Sequence, residues 1–353
     1  MAYQTGTGNT CGDFVDALRA FCLGLGWTIV KHTASANTPL LFLEKGNAHV
    51  TMQGFSVSRT RYTGTTSGTS QSFNDIELRM ACSGSINAAS NNYWGHPNSG
   101  VVDADGSASY PPTKIRGMIG PFVAWHFFSN ATGDWIHAVI QITADLFMHM
   151  SFGLVDKLDL THSGVAFATA SNNVWWRDYY DESNANSTYN RPSDKTIPQF
   201  MNSGASYYAP NALPAGFVVF GRRQSSSSTT HGDILMVGQT YNSPSHYYNA
   251  VTTGTLQAGI ILAPAQTWNG AALMGGIPFV IGNVSAGTCC AVGAMGDVRV
   301  VNMEGLIAGQ EITLGSDVWK IFPVLRQQPW GVNTAPLAGA SSGQYGIAYK
   351  KVT

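Results

Sequence analysis

The residues best equipped for chemistry fall into two groups. The first is aromatic and acidic: Trp175, Trp176, Tyr179 and Tyr180 lie among Asp178, Asp181 and Glu182, ahead of an Asn, Ser and Thr run. Indole and phenol faces beside carboxylates are suited to a sugar ring, which stacks on the faces and gives its hydroxyls to the carboxylates. The same side chains would also pin a long loop to its own sheet or to a neighbouring subunit, and that plainer role is the one the composition favours. The second group is His137 and His149, with His126 upstream. Imidazoles brought together in this way would offer ligands to a metal. No carboxylate or cysteine stands at a fixed offset from them, and a half-buried histidine bonded to a backbone group is the commoner arrangement.

Other routes to catalysis are poorly supplied. The chain has no Gly-x-Ser-x-Gly elbow, Walker loop, dinucleotide fingerprint, His-Glu-x-x-His or paired-cysteine motif. Asp178 with Asp181 or Glu182 gives acidic pairs, but a glycosidase needs its two carboxylates at a set separation that a line of sequence does not display. Asp103, Asp105 and Gly106 open like a calcium loop but lack its later ligands and terminal Glu, so they read as a solvated turn. The expectation is a protein that is not an enzyme and uses no cofactor.

Composition narrows the partners. Of 353 residues only 11% are charged, with 19 Lys and Arg against 20 Asp and Glu, while 44% are hydrophobic. An ordinary soluble domain carries roughly 25% charged residues. The hydrophobic fraction excludes a disordered chain, and the absence of a basic cluster argues against nucleic acid. Between Asp233 and Asp297 there is no Asp, Glu, Lys or Arg at all. Pro244, Pro264 and Pro278 interrupt every candidate membrane helix in that tract, so membrane insertion is not expected. A charge-free tract instead suits a β layer buried inside the protein or at the centre of a permanent interface. The opening MAYQTGTGNT has no signal-peptide pattern, and the five cysteines fit neither a disulfide framework nor a zinc spacing. Synthesis and residence in a cytoplasm, with reduced buried thiols, follow as expectations.

The elements that would position these residues are mostly strands. One helix is expected over 10–26, where Phe14, Leu18, Phe21, Cys22 and Leu25 make a stripe, Thr10 is the N-cap and Asp13 sits in the first turn. Strands follow at 27–32, 40–46, 48–55 and 75–82, the last with Ile76, Leu78, Met80 and Cys82 facing a core and Asp75, Glu77 and Arg79 on a wet face. A Gly, Ser, Asn and Pro-rich stretch over 83–113 reads as a long connection. Segments 135–142 and 146–153 form a hairpin with 142 opposite 146. That register places Ile136, Ala138, Ile140, Ile142, Leu146, Met148, Met150 and Phe152 on one apolar face and the two histidines on the other. Short β runs at 232–240, 256–262, 277–282, 297–303, 311–315, 317–325 and 344–350 complete the pattern. The fold class is therefore mainly β with a small N-terminal α+β region, built as a sandwich or distorted barrel with long loops. The expected division is 1–115 as an N-terminal α+β domain with its trailing loop, and 116–353 as β-rich, with a loop insertion at about 171–230.

Several segments taken together resemble virion structural proteins of tailed bacteriophages, a type found among tail, baseplate and neck components. The resemblance lies in GLGWTIVKH (24–32) with LLFLEKG (40–46), the block 122–158, the block 295–327, and the ending SGQYGIAYKKV (342–352). The two blocks are its specific part, and 56–121 and 171–230 are outside it. It implies a non-enzymatic, oligomeric particle component, assembled in the bacterial host cytoplasm and resident in the virion. Its partners would be copies of itself and other tail or neck proteins. The alternative is a receptor-binding tail module whose 171–215 loop contacts host surface polysaccharide, weakly per copy and multivalently on the particle.

Overall fold

The computed structural model describes residues 3–62, 70–97, 113–115, 117–144, 147–154, 156–157, 163–170, 217–222, 234–237, 274–283, 288–303, 305–323 and 345–352. In chain order the elements begin with β1 (Tyr3–Gly8), α1 (Cys11–Gly24), β2 (Thr28–Thr33), β3 (Leu40–Lys45), β4 (Ala48–Tyr62), β5 (Ser70–Ser83) and β6 (Thr113–Ile115). They continue with β7 (Phe122–Ser129), β8 (Trp135–Gln141), β9 (Phe147–Leu154), β10 (Asp156–Lys157), β11 (Ser163–Ala170), β12 (Phe217–Arg222) and β13 (Ile234–Val237). The last are β14 (Met274–Asn283), β15 (Thr288–Asn302), β16 (Glu311–Leu314), β17 (Asp317–Pro323) and β18 (Tyr345–Lys351). The protein is mainly β, and none of its sheets closes into a barrel among the described residues.

The strands form three antiparallel sheets. A seven-stranded sheet has the order β1-β7-β8-β9-β11-β12-β13, a five-stranded sheet runs β2 to β6 in sequence, and a six-stranded C-terminal sheet runs β10-β15-β18-β17-β16, with β14 also on β15. The helix forms where the apolar stripe and the cap require it: Asp13 N–H donates to Thr10 Oγ1 at 3.1 Å, and Thr10 N–H donates to Asp13 Oδ2 at 3.1 Å. This reciprocal box satisfies two of the free N–H groups at the helix start. Glycine at position 26, at φ +81, then turns the chain out of the helix.

The seven-stranded sheet is the middle layer. One of its faces meets α1 and the five-stranded sheet in a single core, in which Phe14, Leu18, Phe21, Leu41, Leu43, Val50, Met52, Leu78 and Met80 pack with Phe127, Ile136, Ala138, Ile140, Met148, Met150 and Phe152. Each fully buried side chain of this size contributes about 1.5–3 kcal/mol relative to exposure. Residues from both sides of the boundary expected near 115 contribute to this core, and β1 itself pairs with β7 in the middle sheet. The hairpin register is the one the alternation requires, with Gln141 opposite Phe147, Ile140 opposite Met148 and Ile136 opposite Phe152.

Two expectations need correction. The outer face of β5 is not wet: Asp75, Glu77 and Arg79 are buried. Segment 84–97 folds back over that face, with Thr51 Oγ1 donating to the Tyr93 carbonyl at 2.7 Å, Phe55 packed on Tyr93 and Trp94, and Arg79 over the Phe55 ring. Within the pair, Glu77 accepts from Arg79 Nε at 2.9 Å. The opening segment, where no strand is expected, forms edge strand β1, in which Gly6 leaves room for the Trp125 ring to lie across the backbone.

Candidate functional site

The other face of the middle sheet carries the histidines, and the C-terminal sheet covers it. Antiparallel register sets His126 of β7 opposite Val139 of β8, and Val139 opposite His149 of β9, while His137 stands opposite Ser151. All three imidazoles therefore project from one face of three neighbouring strands. From the opposing layer come Gly296 and Met295 of β15, Phe322 and Pro323 of β17, and Tyr349 of β18.

Each ring has partners for both nitrogens or is held by stacking. His137 Nε2 lies 2.9 Å from the Gly296 carbonyl and its Nδ1 lies 2.8 Å from Ser151 Oγ. A carbonyl only accepts, so Nε2 carries the proton and Nδ1 accepts from the serine hydroxyl. His149 repeats the pattern, with Nε2 donating to the Pro323 carbonyl at 3.1 Å and Nδ1 accepting from the Tyr349 hydroxyl at 2.7 Å. His126 Nδ1 accepts from the Tyr3 hydroxyl at 3.0 Å, and its ring packs on Phe322 with centroids 4.8 Å apart. Tyr349 is the hub: it also stacks on Phe128 at 5.1 Å and approaches the His137 ring at 5.5 Å.

The electrostatics agree with neutral rings. Burial pulls His137 down to about 3 and His149 to about 4, each only partly offset by its backbone carbonyl. Burial, with Lys320 nearby, takes His126 to about 4. Burial likewise pushes the Tyr349 phenol well above its ordinary range, which keeps it a donor.

A bulge in β15 delivers the Gly296 carbonyl. Pairing with β14 jumps from Arg299 opposite Gly276 to Met295 opposite Ile277, and Asp297 inside the jump has φ 57. Such a left-handed non-glycine residue costs about 1–3 kcal/mol and persists only where its surroundings impose it. Here the Trp135 indole lies flat against Gly296, where no Cβ would fit. At the rim, Glu311 accepts from Lys351 at 3.0 Å, and Lys320 and Lys351 both stand over the Tyr3 ring. Lys351, chiefly by its hydrogen bond, holds the Glu311 carboxyl below its usual range.

The structure thus brings His137 and His149 into one seam, but as bonds between layers and not as metal ligands. Both ring nitrogens of each are engaged by protein groups, and no cluster of three His, Cys, Asp or Glu among the described residues is placed to hold a metal ion. The Ser151 and His137 pair has the composition of a nucleophile and base, and both side chains are fully buried. Trp175, Trp176, Asp178, Tyr179, Tyr180 and Asp181 lie outside the described residues. Ser151, Gly296, Pro323 and Tyr349 were not foreseen as partners. The alternation in 344–350, which puts Tyr345, Ile347 and Tyr349 on one face, is the signal that pointed toward one of them.

Compared with protein-family models and with curated proteins, the chain matches none. Among the described residues, no helix is long and apolar enough to cross a membrane.

Proposed function

We propose that this chain is a non-enzymatic structural component of a tailed-phage particle, working in the tail, baseplate or neck by assembly with copies of itself and with neighbouring particle proteins. The observation that carries the reading is the charge-free tract from Asp233 to Asp297 in a chain with only 11% charged residues. Part of that tract is β14 and the stretch of β15 that precedes Asp297, in the outer sheet. Charge depletion of this kind belongs to permanently covered surface. The resemblance of 122–158 and 295–327 to phage structural proteins supports the same reading, and so does a layered β architecture whose buried polar groups tie sheets together. An antibody against the chain, applied to particles from a producing lysate in the electron microscope, is expected to label a fixed site on the tail or neck. Purified particles that lack the chain altogether would overturn the proposal.

The aromatic and acidic cluster at 175–182 favours a second reading, a receptor-contacting module for surface polysaccharide. Joint substitution of Trp175 and Trp176 by alanine separates the two. Normal particles that fail to adsorb support receptor contact, and particles that fail to assemble support a structural loop.

A further inference from the structure

The segment 84–97, which lies over the outer face of the five-stranded sheet, is a loop with its own internal bonds. Gly84 N–H donates to the Pro97 carbonyl at 2.9 Å and draws the two ends together, as in an Ω-loop. Between them His96 joins the outgoing limb to the returning one: its Nδ1 accepts from Asn87 N–H at 3.1 Å, and its Nε2 donates to the Asn92 carbonyl at 2.9 Å. Asn92 N–H donates to Ser90 Oγ, and that hydroxyl donates back to the Asn92 carbonyl. Gly95, at φ +73, makes the last turn before the ring.

Neighbouring strands fasten this loop to the sheet. On β4, Thr51 Oγ1 donates to the Tyr93 carbonyl at 2.7 Å and Gln53 Oε1 accepts from Tyr93 N–H at 3.2 Å. On β3, the Phe42 ring meets the His96 ring edge to face, with centroids 4.8 Å apart. On β2, Lys31 Nζ donates to Asn91 Oδ1 at 2.7 Å, to the Ser90 carbonyl, and to the Ala88 carbonyl at 3.4 Å. An ammonium has three N–H groups, so the tip of the loop engages all of them.

Lys31 reaches the loop because of a bulge. Pairing of β2 with β3 shifts from Ile29 opposite Leu43 to Lys31 opposite Phe42. Leu43 belongs to the core and Ile29 packs against it. Without the extra residue at Val30, alternation would put Lys31 on that same apolar side, two positions beyond Ile29. The bulge turns it instead to the Phe42 side, where its ammonium stands 6.0 Å from the ring centroid.

We propose that 84–97 is a strap that opens and closes on the sheet as one body, and that Lys31 is its fastener: loss of the ammonium's bonds frees the loop while β3 and β4 stay paired beneath it. The bonds of His96, Ser90 and Gly84 travel with the strap, because both partners of each lie within 84–97. Hydrogen bonds from a charged donor are roughly twice as strong as neutral ones, which is why the lysine, more than Thr51 or Gln53, sets the closed state. Opening uncovers the aromatic face of Phe42 and Phe55. The device belongs to this chain's own contacts and is independent of the particle reading above.

The test is hydrogen exchange of the full chain read by mass spectrometry, on the unaltered protein and on two variants. Lys31→Met keeps the aliphatic stem beside Phe42 and removes the donors, and Asn91→Ala removes one acceptor at an exposed position. In the unaltered protein, peptides within 84–97 are expected to share one protection factor, lower than that of β3 and β4. Lys31→Met is expected to lower protection in that segment by about tenfold with β3, β4 and α1 unchanged, and Asn91→Ala to lower it by about threefold in the same peptides. Unchanged protection of 84–97 in either variant would overturn the role of Lys31. Loss that spreads to β3, β4 and α1 would overturn the strap, since the loop would then be part of the same cooperative unit as the sheet. Protection of 84–97 equal to that of β4 in the unaltered protein would overturn it equally.

Discussion

A single methyl group, added at two glycines, tests the packing of the seam against a built-in control. At Gly296 a new Cβ would lie 2.2 Å from Trp135 Cζ2 and 2.5 Å from two further indole carbons. Carbon atoms rest at about 3.5–4.0 Å, so the ring or the bulge must move by more than an ångström. Overpacking of this kind costs about 1–3 kcal/mol. Moving the bulge also weakens the bond from His137 Nε2 to the Gly296 carbonyl, and leaving a buried polar group poorly satisfied adds about 1–3 kcal/mol. Gly296→Ala is therefore expected to destabilise the protein by about 2–6 kcal/mol. At Gly24, in the last turn of α1, a Cβ meets nothing within 4 Å. There the same change removes glycine's helix penalty and is expected to stabilise by up to about 1 kcal/mol. Urea unfolding followed by tryptophan fluorescence reads both, with Trp135 reporting directly on the altered contact. A Gly296→Ala midpoint within error of the unaltered protein would refute the packing described for the bulge and its indole.

Three further outcomes follow from named groups. Stability is expected to fall between about pH 6.5 and about pH 4, because His137 and His149 are neutral when folded and bind protons when unfolded; each loses about 2 kcal/mol by pH 5 relative to pH 7.5, and urea midpoints across that range check it. Thr10→Ala removes the reciprocal cap of α1 and is expected to cost about 1 kcal/mol in the same assay, with the far-ultraviolet spectrum unchanged. Cys11, Cys22 and Cys82 are fully buried, and burial pushes the Cys11 thiol up to about 12 and the other two higher still. These three thiols are expected to resist a disulfide exchange reagent in the native protein and to react only in denaturant, as a timed thiol titration would show.

Local pattern made some of this legible. The apolar stripe and Thr10 specify α1 to within a few residues, because helix period and cap chemistry are short-range properties. Strict alternation in 135–153 specifies the hairpin register, since a slip by one residue would move Ile136, Ala138 and Ile140 out of the core. What the pattern does not specify is what covers the second face. The partners of His137 and His149 in the covering layer lie 159 to 200 residues away in sequence, on strands of another sheet. A face bearing His, Gln and Ser reads as wet until that sheet is in place. The same holds for β5, where Asp75, Glu77 and Arg79 alternate as surface residues do and are covered by a segment whose composition reads as a loop. β1 escaped notice because Gly6 and Gly8 weaken the strand signal of Tyr3, Thr5 and Thr7, and the strand is fixed by its pairing to β7.

The most direct test of the proposed function is the mass of the purified chain in solution, by light scattering over a range of concentrations with imaging of the same sample. A particle component that assembles through charge-poor surfaces is expected to form a discrete oligomer, a fixed multiple of 37.6 kDa with visible symmetry. A stable monomer of 37.6 kDa at every concentration would contradict the account, and would reassign the tract from Asp233 to Asp297 to the interior of a single chain.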